Sequence, residues 1–113
     1  MKPSTSSKGR EGEERAAGFL CDRGYRILAR NLRLPGGEID LLCLEGRVLV
    51  FVEVKRRDGT RFGSALAAVD YRKRKTIRDL AADYAQIIAP GMRIRFDVVA
   101  IDGNRLCLHR NAF

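Results

Sequence analysis

Two neighbouring strand-like segments constrain the fold of this chain more than any other feature of its sequence. Residues 38–44 and 47–55 are rich in valine, leucine and isoleucine, and only Glu45-Gly46 separates them. A two-residue link that ends in Gly, between two such segments, predicts an antiparallel β-hairpin. With Glu45-Gly46 as its loop, the predicted register places Glu38 directly opposite Glu53.

Further helices and strands are predicted on both sides of this hairpin. Residues 9–23 and 67–89 show helical periodicity, and residues 25–30, 93–101 and 106–109 show strand-like alternation. The order α-β-β-β-α-β-β predicts an α/β fold with a mixed central β-sheet of about five strands, flanked by helices. Because 113 residues is the length of one domain, we predict a flexible N-terminal tail over residues 1–8 and a single domain over residues 9–113.

The basic charge of the chain is concentrated in one stretch. Lys and Arg number 22 against 14 Asp and Glu, a net charge of +8, and residues 55–78 contain nine basic and two acidic side chains, or +7. Such a local field attracts polyanions, of which nucleic acid is the most common in the cytosol. A solvated basic surface is the alternative interpretation. The predicted nucleic-acid contacts are Arg56, Arg57, Arg61, Arg72, Lys73, Lys75 and Arg78.

Other sequence features favour a cytoplasmic protein. The chain contains no apolar segment long enough to cross a membrane, and no apolar stretch follows its first charges as in a secretory signal. Its three cysteines, Cys21, Cys43 and Cys107, lack metal-ligand spacing. We interpret them as small buried apolar residues in a reducing compartment.

The hairpin also gathers carboxylates. Since residues two apart on a strand share a face, Glu38, Asp40, Glu53 and Lys55 are predicted on one side, together with Leu42, Leu44, Leu49 and Phe51. The other side is predicted core: Ile39, Leu41, Cys43, Val48, Val50, Val52 and Val54. Directly opposed carboxylates destabilise a sheet by up to ~1 kcal/mol. A cation between them removes that penalty.

The chemistry of these side chains suits a divalent metal site. Mg²⁺ prefers one or two carboxylates plus water and phosphate; it polarises a phosphoryl group, while a nearby ammonium stabilises developing charge. Asp40, Glu53 and Lys55 match these three needs. Surface salt bridges, with Lys55 paired to Glu53 or Glu38, explain the strand pattern equally well. Glu13 is predicted at the edge of its helix's buried face, and Asp97 is predicted to pair within the sheet.

The hairpin GEIDLLCLEGRVLVFVEVKRR resembles the active-site motif of the PD-(D/E)xK nuclease superfamily. A further string of segments resembles the YraN-like family: Gly12-Glu13-Glu14, Gly24-Tyr25, Arg30-Asn31, Gly37-Glu38-Ile39-Asp40, Val52-Glu53-Val54-Lys55, Arg61-Phe62-Gly63 and Arg95-Phe96-Asp97-Val98-Val99. That family comprises small, largely uncharacterised bacterial proteins, assigned to the endonuclease-like fold and similar to archaeal Holliday junction resolvases. The likeness extends from about Gly9 to Ile101, most of the chain.

The resemblance implies a restriction-endonuclease-like core and a role for each acid. Asp40 and Glu53 would bind Mg²⁺ or Mn²⁺, with Glu13 as a third metal ligand, Lys55 as the catalytic lysine and Glu38 as an additional nearby acid. The sequence departs from the superfamily's Pro-Asp pair in one position: Ile39, not proline, precedes Asp40.

Three functions remain open at this point. The implied function is a Mg²⁺-dependent DNA endonuclease that hydrolyses phosphodiester bonds, in branched DNA if the resolvase likeness extends to substrate. An alternative is a catalytically inactive nucleic-acid-binding module with the nuclease fold. A third is a protein-interaction domain whose basic face binds an acidic partner. Resolvase-like relatives act as dimers, which makes a homodimer the candidate assembly, and no membrane partner is expected.

Overall fold

Two helices and five strands make up the part of the chain that a computed structural model describes, residues 7–57 and 71–112, with side chains described for residues 10–56 and 74–112. The elements are α1 (Ser7–Cys21), β1 (Arg26–Leu34), β2 (Gly37–Glu45), β3 (Val48–Arg57), α2 (Tyr71–Ile88), β4 (Arg93–Asp102) and β5 (Arg105–His109). The predicted order α-β-β-β-α-β-β is confirmed. Helix α1 begins at Ser7, two residues before the predicted start, so Ser7 and Lys8 belong to the helix rather than to the predicted tail.

The five strands form one mixed sheet in the order β1-β2-β3-β4-β5. Only β3 and β4 are parallel, and the other neighbours are antiparallel. Parallel neighbours need a long crossover connection, and the segment that contains α2 provides it. The predicted α/β fold with a mixed five-stranded sheet is therefore confirmed.

Each face of the sheet is covered by one helix. The core under α1 contains Ala16, Leu20, Tyr25, Leu41, Cys43, Val50, Val52, Val99 and Ile101. The core under α2 contains Ile39, Leu42, Leu49, Phe51, Ile77, Ala81, Ala85 and Phe96. Apart from Ile39, the predicted core face of the hairpin is confirmed, because its other members belong to or pack against the α1 core.

The hairpin loop is Gly46-Arg47 rather than the predicted Glu45-Gly46. Glu45 pairs with Val48, and the register continues to Leu41 opposite Val52. Gly46 has a φ of 59°, and Gly is the residue that type II′ hairpin turns require at the first loop position. The predicted register is therefore wrong by two residues, and Glu38 does not lie opposite Glu53.

The three cysteines differ in exposure. Cys43 is fully buried in the α1 core, as predicted, whereas Cys21 and Cys107 are exposed. Cys107 alternates on the edge strand β5 with the half-buried Leu106 and Leu108, so it faces outwards. In residues 7–57 and 71–112, no helix is both long and apolar enough to cross a membrane.

Candidate active site

The candidate site lies where β2 and β3 part. The last recorded pair between them is Leu41–Val52, so Asp40 and Glu53 are the first residues beyond the paired ladder. In place of a ladder hydrogen bond, the backbone amide of Val54 donates to Asp40 Oδ2 at 2.8 Å. This bond fixes the Asp40 carboxylate across the gap between the strands and does not require its second oxygen, Oδ1.

Strand β1 is distorted beside Asp40. Asn31 lies between two recorded pairs of the β1–β2 ladder, Arg30–Leu41 and Leu32–Ile39. Its φ is 51°, in the left-handed region that Asn tolerates better than most residues with a side chain. The backbone irregularity therefore stands directly opposite the acid predicted to bind metal.

This irregularity reverses the alternation of side chains along β2. Ile39 packs in the α2 core with Leu42, although Leu41 packs in the α1 core. The predicted placement of Ile39 beside Leu41 is wrong for this reason. Asp40 consequently lies on the α1 side, whereas Glu53 continues the alternation of Phe51 on the α2 side.

The prediction that all four charged hairpin residues share one face is therefore wrong. Asp40 and Glu53 are instead neighbours at the gap between the strands, since each is the first residue beyond the Leu41–Val52 pair. Glu53 is 6% exposed and borders a small apolar void with Ile39, Phe51 and Ile77. Lys55, half-buried, follows two residues later on β3, on the face of Glu53.

Glu13 approaches the site from α1. It is 7% exposed, on the inner side of the helix. Burial raises its pKa most, the negative charge of Asp40 and, more weakly, that of Glu38 raise it further, and a hydrogen bond from Asn31 opposes the increase. The like charges of Glu13 and Asp40 thus act on one another, and a bound cation would relieve both.

Sequence analysis missed the contribution of Asn31. Its side chain hydrogen-bonds Glu13, while its own Oδ1 is buried and has no hydrogen-bond partner within the part of the chain that the structure describes. A polar residue that tolerates positive φ, inside an otherwise alternating strand, was the signal for this position. Glu38 forms an ion pair with Arg33 at 3.7 Å between Oε2 and Nε.

These residues fit Mg²⁺ better than a metal that needs a closed protein cage. Within residues 7–57 and 71–112, no three His, Cys, Asp or Glu side chains converge closely enough to hold one metal ion. Mg²⁺ binds through one or two carboxylates and completes its shell with water and phosphate. Asp40 and Glu53 supply two carboxylates, and Glu13 and the buried Asn31 Oδ1 supply further oxygens nearby.

The predicted nucleic-acid contacts differ in their surroundings. Arg56 forms an ion pair with Glu11 of α1 at 2.9 Å, and Lys75 forms one with Asp79 at 3.0 Å. Arg78 is exposed on α2. The side chains of Arg57, Arg72 and Lys73, and all of Arg61, lie outside the described residues.

A separate buried network lies on the α1 face of β4. Asp97 is fully buried and accepts hydrogen bonds from Tyr25 Oη at 2.7 Å and Arg95 Nε at 2.9 Å. Arg95 also donates to Glu45 at 2.7 Å. The predicted structural role of Asp97 within the sheet is confirmed.

The fold and the candidate site define the protein as an α/β protein with an open mixed sheet and acidic side chains where β2 and β3 part. The chain belongs to the uncharacterised protein family UPF0102, whose model matches residues 12–101. A UPF0102 protein of Dechloromonas aromatica is 46% identical over 110 residues, which cover 97% of this chain and 91% of that protein. One of Moorella thermoacetica is 48% identical over 103 residues, with 89% and 85% covered. One of Thermodesulfovibrio yellowstonii is 39% identical over 105 residues, with 93% and 94% covered.

Proposed function

We propose that this protein is a cytoplasmic DNA endonuclease of the PD-(D/E)xK type, which hydrolyses phosphodiester bonds with Mg²⁺. The observation that carries the proposal is the pair Asp40 and Glu53 at the parting of β2 and β3, with Lys55 on the same strand as Glu53. The resemblance of this hairpin to the nuclease motif supports the same function. The +7 charge of residues 55–78 supplies attraction for the polyanionic substrate.

The side chains divide the work of hydrolysis, in which water adds across one P–O bond of the DNA backbone. Asp40 and Glu53 would hold Mg²⁺, and Glu13 would complete the site by approaching the bound ion, because the three acids do not converge in the described residues without it. When bound, Mg²⁺ would polarise the phosphoryl group and lower the pKa of bound water. The Val54 amide orients Asp40, and Asn31 positions Glu13. The Lys55 ammonium stabilises the negative charge that develops as the bond to the leaving oxygen breaks.

A cleavage assay on structurally different DNAs tests this function. Duplex, flap and four-way DNA are incubated with the full chain in Mg²⁺, Mn²⁺ or EDTA. We expect product only with metal, and the preferred DNA identifies the substrate structure. Absence of product on every DNA in both metals would overturn the proposal.

A nucleic-acid-binding module without turnover is the second candidate. The observation that favours it is that the basic charge lies outside the carboxylate set, so binding does not need the acids. This function predicts binding without product, weakened by salt with a slope of about −0.9 per phosphate contact on duplex DNA.

Glu13 gives a stability prediction in the metal-free protein. Because its pKa is raised in the folded state, the folded protein holds this proton more tightly than the unfolded chain. Ionisation of Glu13 therefore lowers the stability of the folded protein. This loss is absent below the ordinary unfolded pKa of 4.5, grows as the pH rises through the folded pKa and is complete above it. We expect Glu13→Gln to raise the melting temperature at pH 7 in EDTA and to have little effect at pH 4.

The metal response of the same variant completes this test. Mn²⁺ should raise the melting temperature of the wild type more than that of Glu13→Gln. Glu14→Gln is the matched control, because Glu14 is exposed on the same helix and forms an ion pair with Arg30 at the surface. Equal Mn²⁺ responses in all three proteins would contradict a metal role for Glu13.

A further inference from the structure

A cleft of about 610 Å³ lies between α2 and β4. On one wall, α2 contributes three basic side chains and one acid, and on the other Ile94 and Phe96 of β4 contribute apolar surface. The charged residues of α2 are Arg74, Lys75, Arg78 and Asp79. None of the acids of the candidate active site lines it. The cleft is therefore a separate feature of the molecule, and its position on the α2 side of the sheet follows from the packing of Phe96 and Ile94 in the α2 core.

The basic side chains around the cleft differ in whether they form ion pairs. Lys75 is neutralised by Asp79 at 3.0 Å, and Arg95 by Asp97 at 2.8 Å. Arg74 and Arg78 form no ion pair with any described residue. Since they are four residues apart, their side chains lie on the same side of α2. With Asp79 paired to Lys75, the cleft thus carries two guanidinium groups that form no ion pair within the described residues.

Arg74 also has a buried donor without an acceptor. Its Nε is buried and has no hydrogen-bond partner among the described residues. A buried N–H group without a partner is unfavourable, and a guanidinium matches anions that accept two parallel hydrogen bonds. An oxyanion in the cleft would pair with the guanidinium groups of both arginines.

The size and the apolar surface of the cleft indicate what carries this anion. A volume of about 610 Å³ lies within the range of pockets that hold small organic ligands, about 300–1,000 Å³, and far exceeds the need of a lone phosphate. Half-buried Ile94 offers a surface on which a flat ring can pack. The combination fits a phosphate group attached to a nucleoside.

We propose that the cleft between α2 and β4 is a nucleotide-binding site, in which Arg74 and Arg78 bind the phosphate and the apolar surface of β4 receives the base. The phosphate belongs either to a free nucleotide or to a nucleic-acid strand, and the chemistry of recognition is the same. The site goes beyond the proposed cleavage function, because it uses none of the acids and requires no metal.

Titration of the full chain in EDTA tests this site apart from cleavage. Thymidine 5′-monophosphate, inorganic phosphate and thymidine are added in turn, and backbone amide signals of β4 and α1 are followed by NMR. We expect saturable shifts in β4 but not in α1, with the nucleotide bound more tightly than phosphate and thymidine bound least. Arg74→Gln and Arg78→Gln should each weaken nucleotide binding about tenfold, the loss expected for a hydrogen bond to a charged group.

Arg105→Gln is the matched control, because Arg105 is exposed on β5 and does not line the cleft; its affinity should equal that of the wild type. Equal nucleotide affinities in all three variants, or thymidine bound as tightly as its monophosphate, would overturn the proposal. Displacement of the nucleotide by an unstructured oligonucleotide assigns the site to a strand, and persistence of the bound nucleotide assigns it to a free nucleotide. Neither result depends on whether the protein cuts DNA, so this proposal and the cleavage proposal can fail separately.

Discussion

Lys55→Ala protein is expected to bind Mn²⁺ like the wild type and to cut DNA at least about 100-fold more slowly. Removal of one group that stabilises transition-state charge commonly costs about 10²–10³ in rate. The carboxylates remain in this variant and lose only a competing cation, so metal affinity should persist. Cleavage rate, Mn²⁺ affinity and melting temperature are measured on the same preparation. Wild-type cleavage by Lys55→Ala would end its assignment as the catalytic lysine.

Asp40 variants separate the loss of metal from the loss of structure. Asp40→Ala removes both the charge and the acceptor of the Val54 amide, whereas Asp40→Asn keeps a carbonyl oxygen for that amide. Both should weaken Mn²⁺ binding and, through it, cleavage, but only Asp40→Ala should also lower stability markedly.

If Lys55 served only in a structural ion pair, its removal would lower the melting temperature and leave the rate per folded molecule unchanged.

Asp97→Ala is expected to destabilise the fold by about 3–5 kcal/mol, the cost of breaking a buried ion pair by removing one of its members. Besides Tyr25 and Arg95, the backbone amide of Asn111 donates to Asp97 at 2.9 Å. Tyr25 and the Asn111 amide would lose this acceptor, and Arg95 would keep only its bond to Glu45 as an ion pair. Tyr25→Phe, which removes a single hydroxyl, should cost only about 0.5–1.5 kcal/mol. Urea unfolding of both variants measures the difference, and an Asp97→Ala midpoint equal to that of the wild type would contradict the account.

The same carboxylate predicts how acid affects stability. Burial alone would raise the pKa of Asp97, but the hydrogen bonds from Arg95, the Asn111 amide and Tyr25 outweigh it and hold the pKa below its usual value. The stability it contributes is therefore complete above the unfolded pKa of about 3.9 and is lost as the pH falls through the folded pKa. The stability difference between the wild type and Asp97→Ala should shrink over that acidic range, and a constant difference would count against this pairing.

The sequence predicted those features that depend on local patterns. The alternation of apolar and polar residues, together with the Gly of the hairpin loop, was sufficient to predict the strands, their order along the chain and most of the hairpin residues in the core under α1. The predicted register was wrong by two residues because Gly46 fits either of the two loop positions by composition. A Glu45-Gly46 loop of type I′ would need a positive φ at Glu45 as well, and only Gly46 of the two has one.

The backbone distortion at Asn31, opposite Asp40, could not be predicted from local sequence patterns. Ile39 and Leu41 pack in different cores although they are two residues apart, at the level where Asn31 of the neighbouring strand has a positive φ. The pattern of β2 alone does not predict this. The hydrogen bond between Tyr25 and Asp97 joins residues 72 positions apart. Such long-range partners cannot be identified from spacing, although the structural role of Asp97 was predicted.

The strand order of the sheet, which equals the order of the strands along the chain, has a consequence for folding kinetics. Every antiparallel pair joins consecutive strands through a short turn, and only the parallel β3–β4 pair must close a long loop. Closing that loop costs chain entropy before its contacts are made. Asn31, Asp40 and Glu53 all belong to the three strands before the crossover. We therefore expect the β1–β3 meander to form first, with the α2–β4 cleft assembled only after the crossover docks.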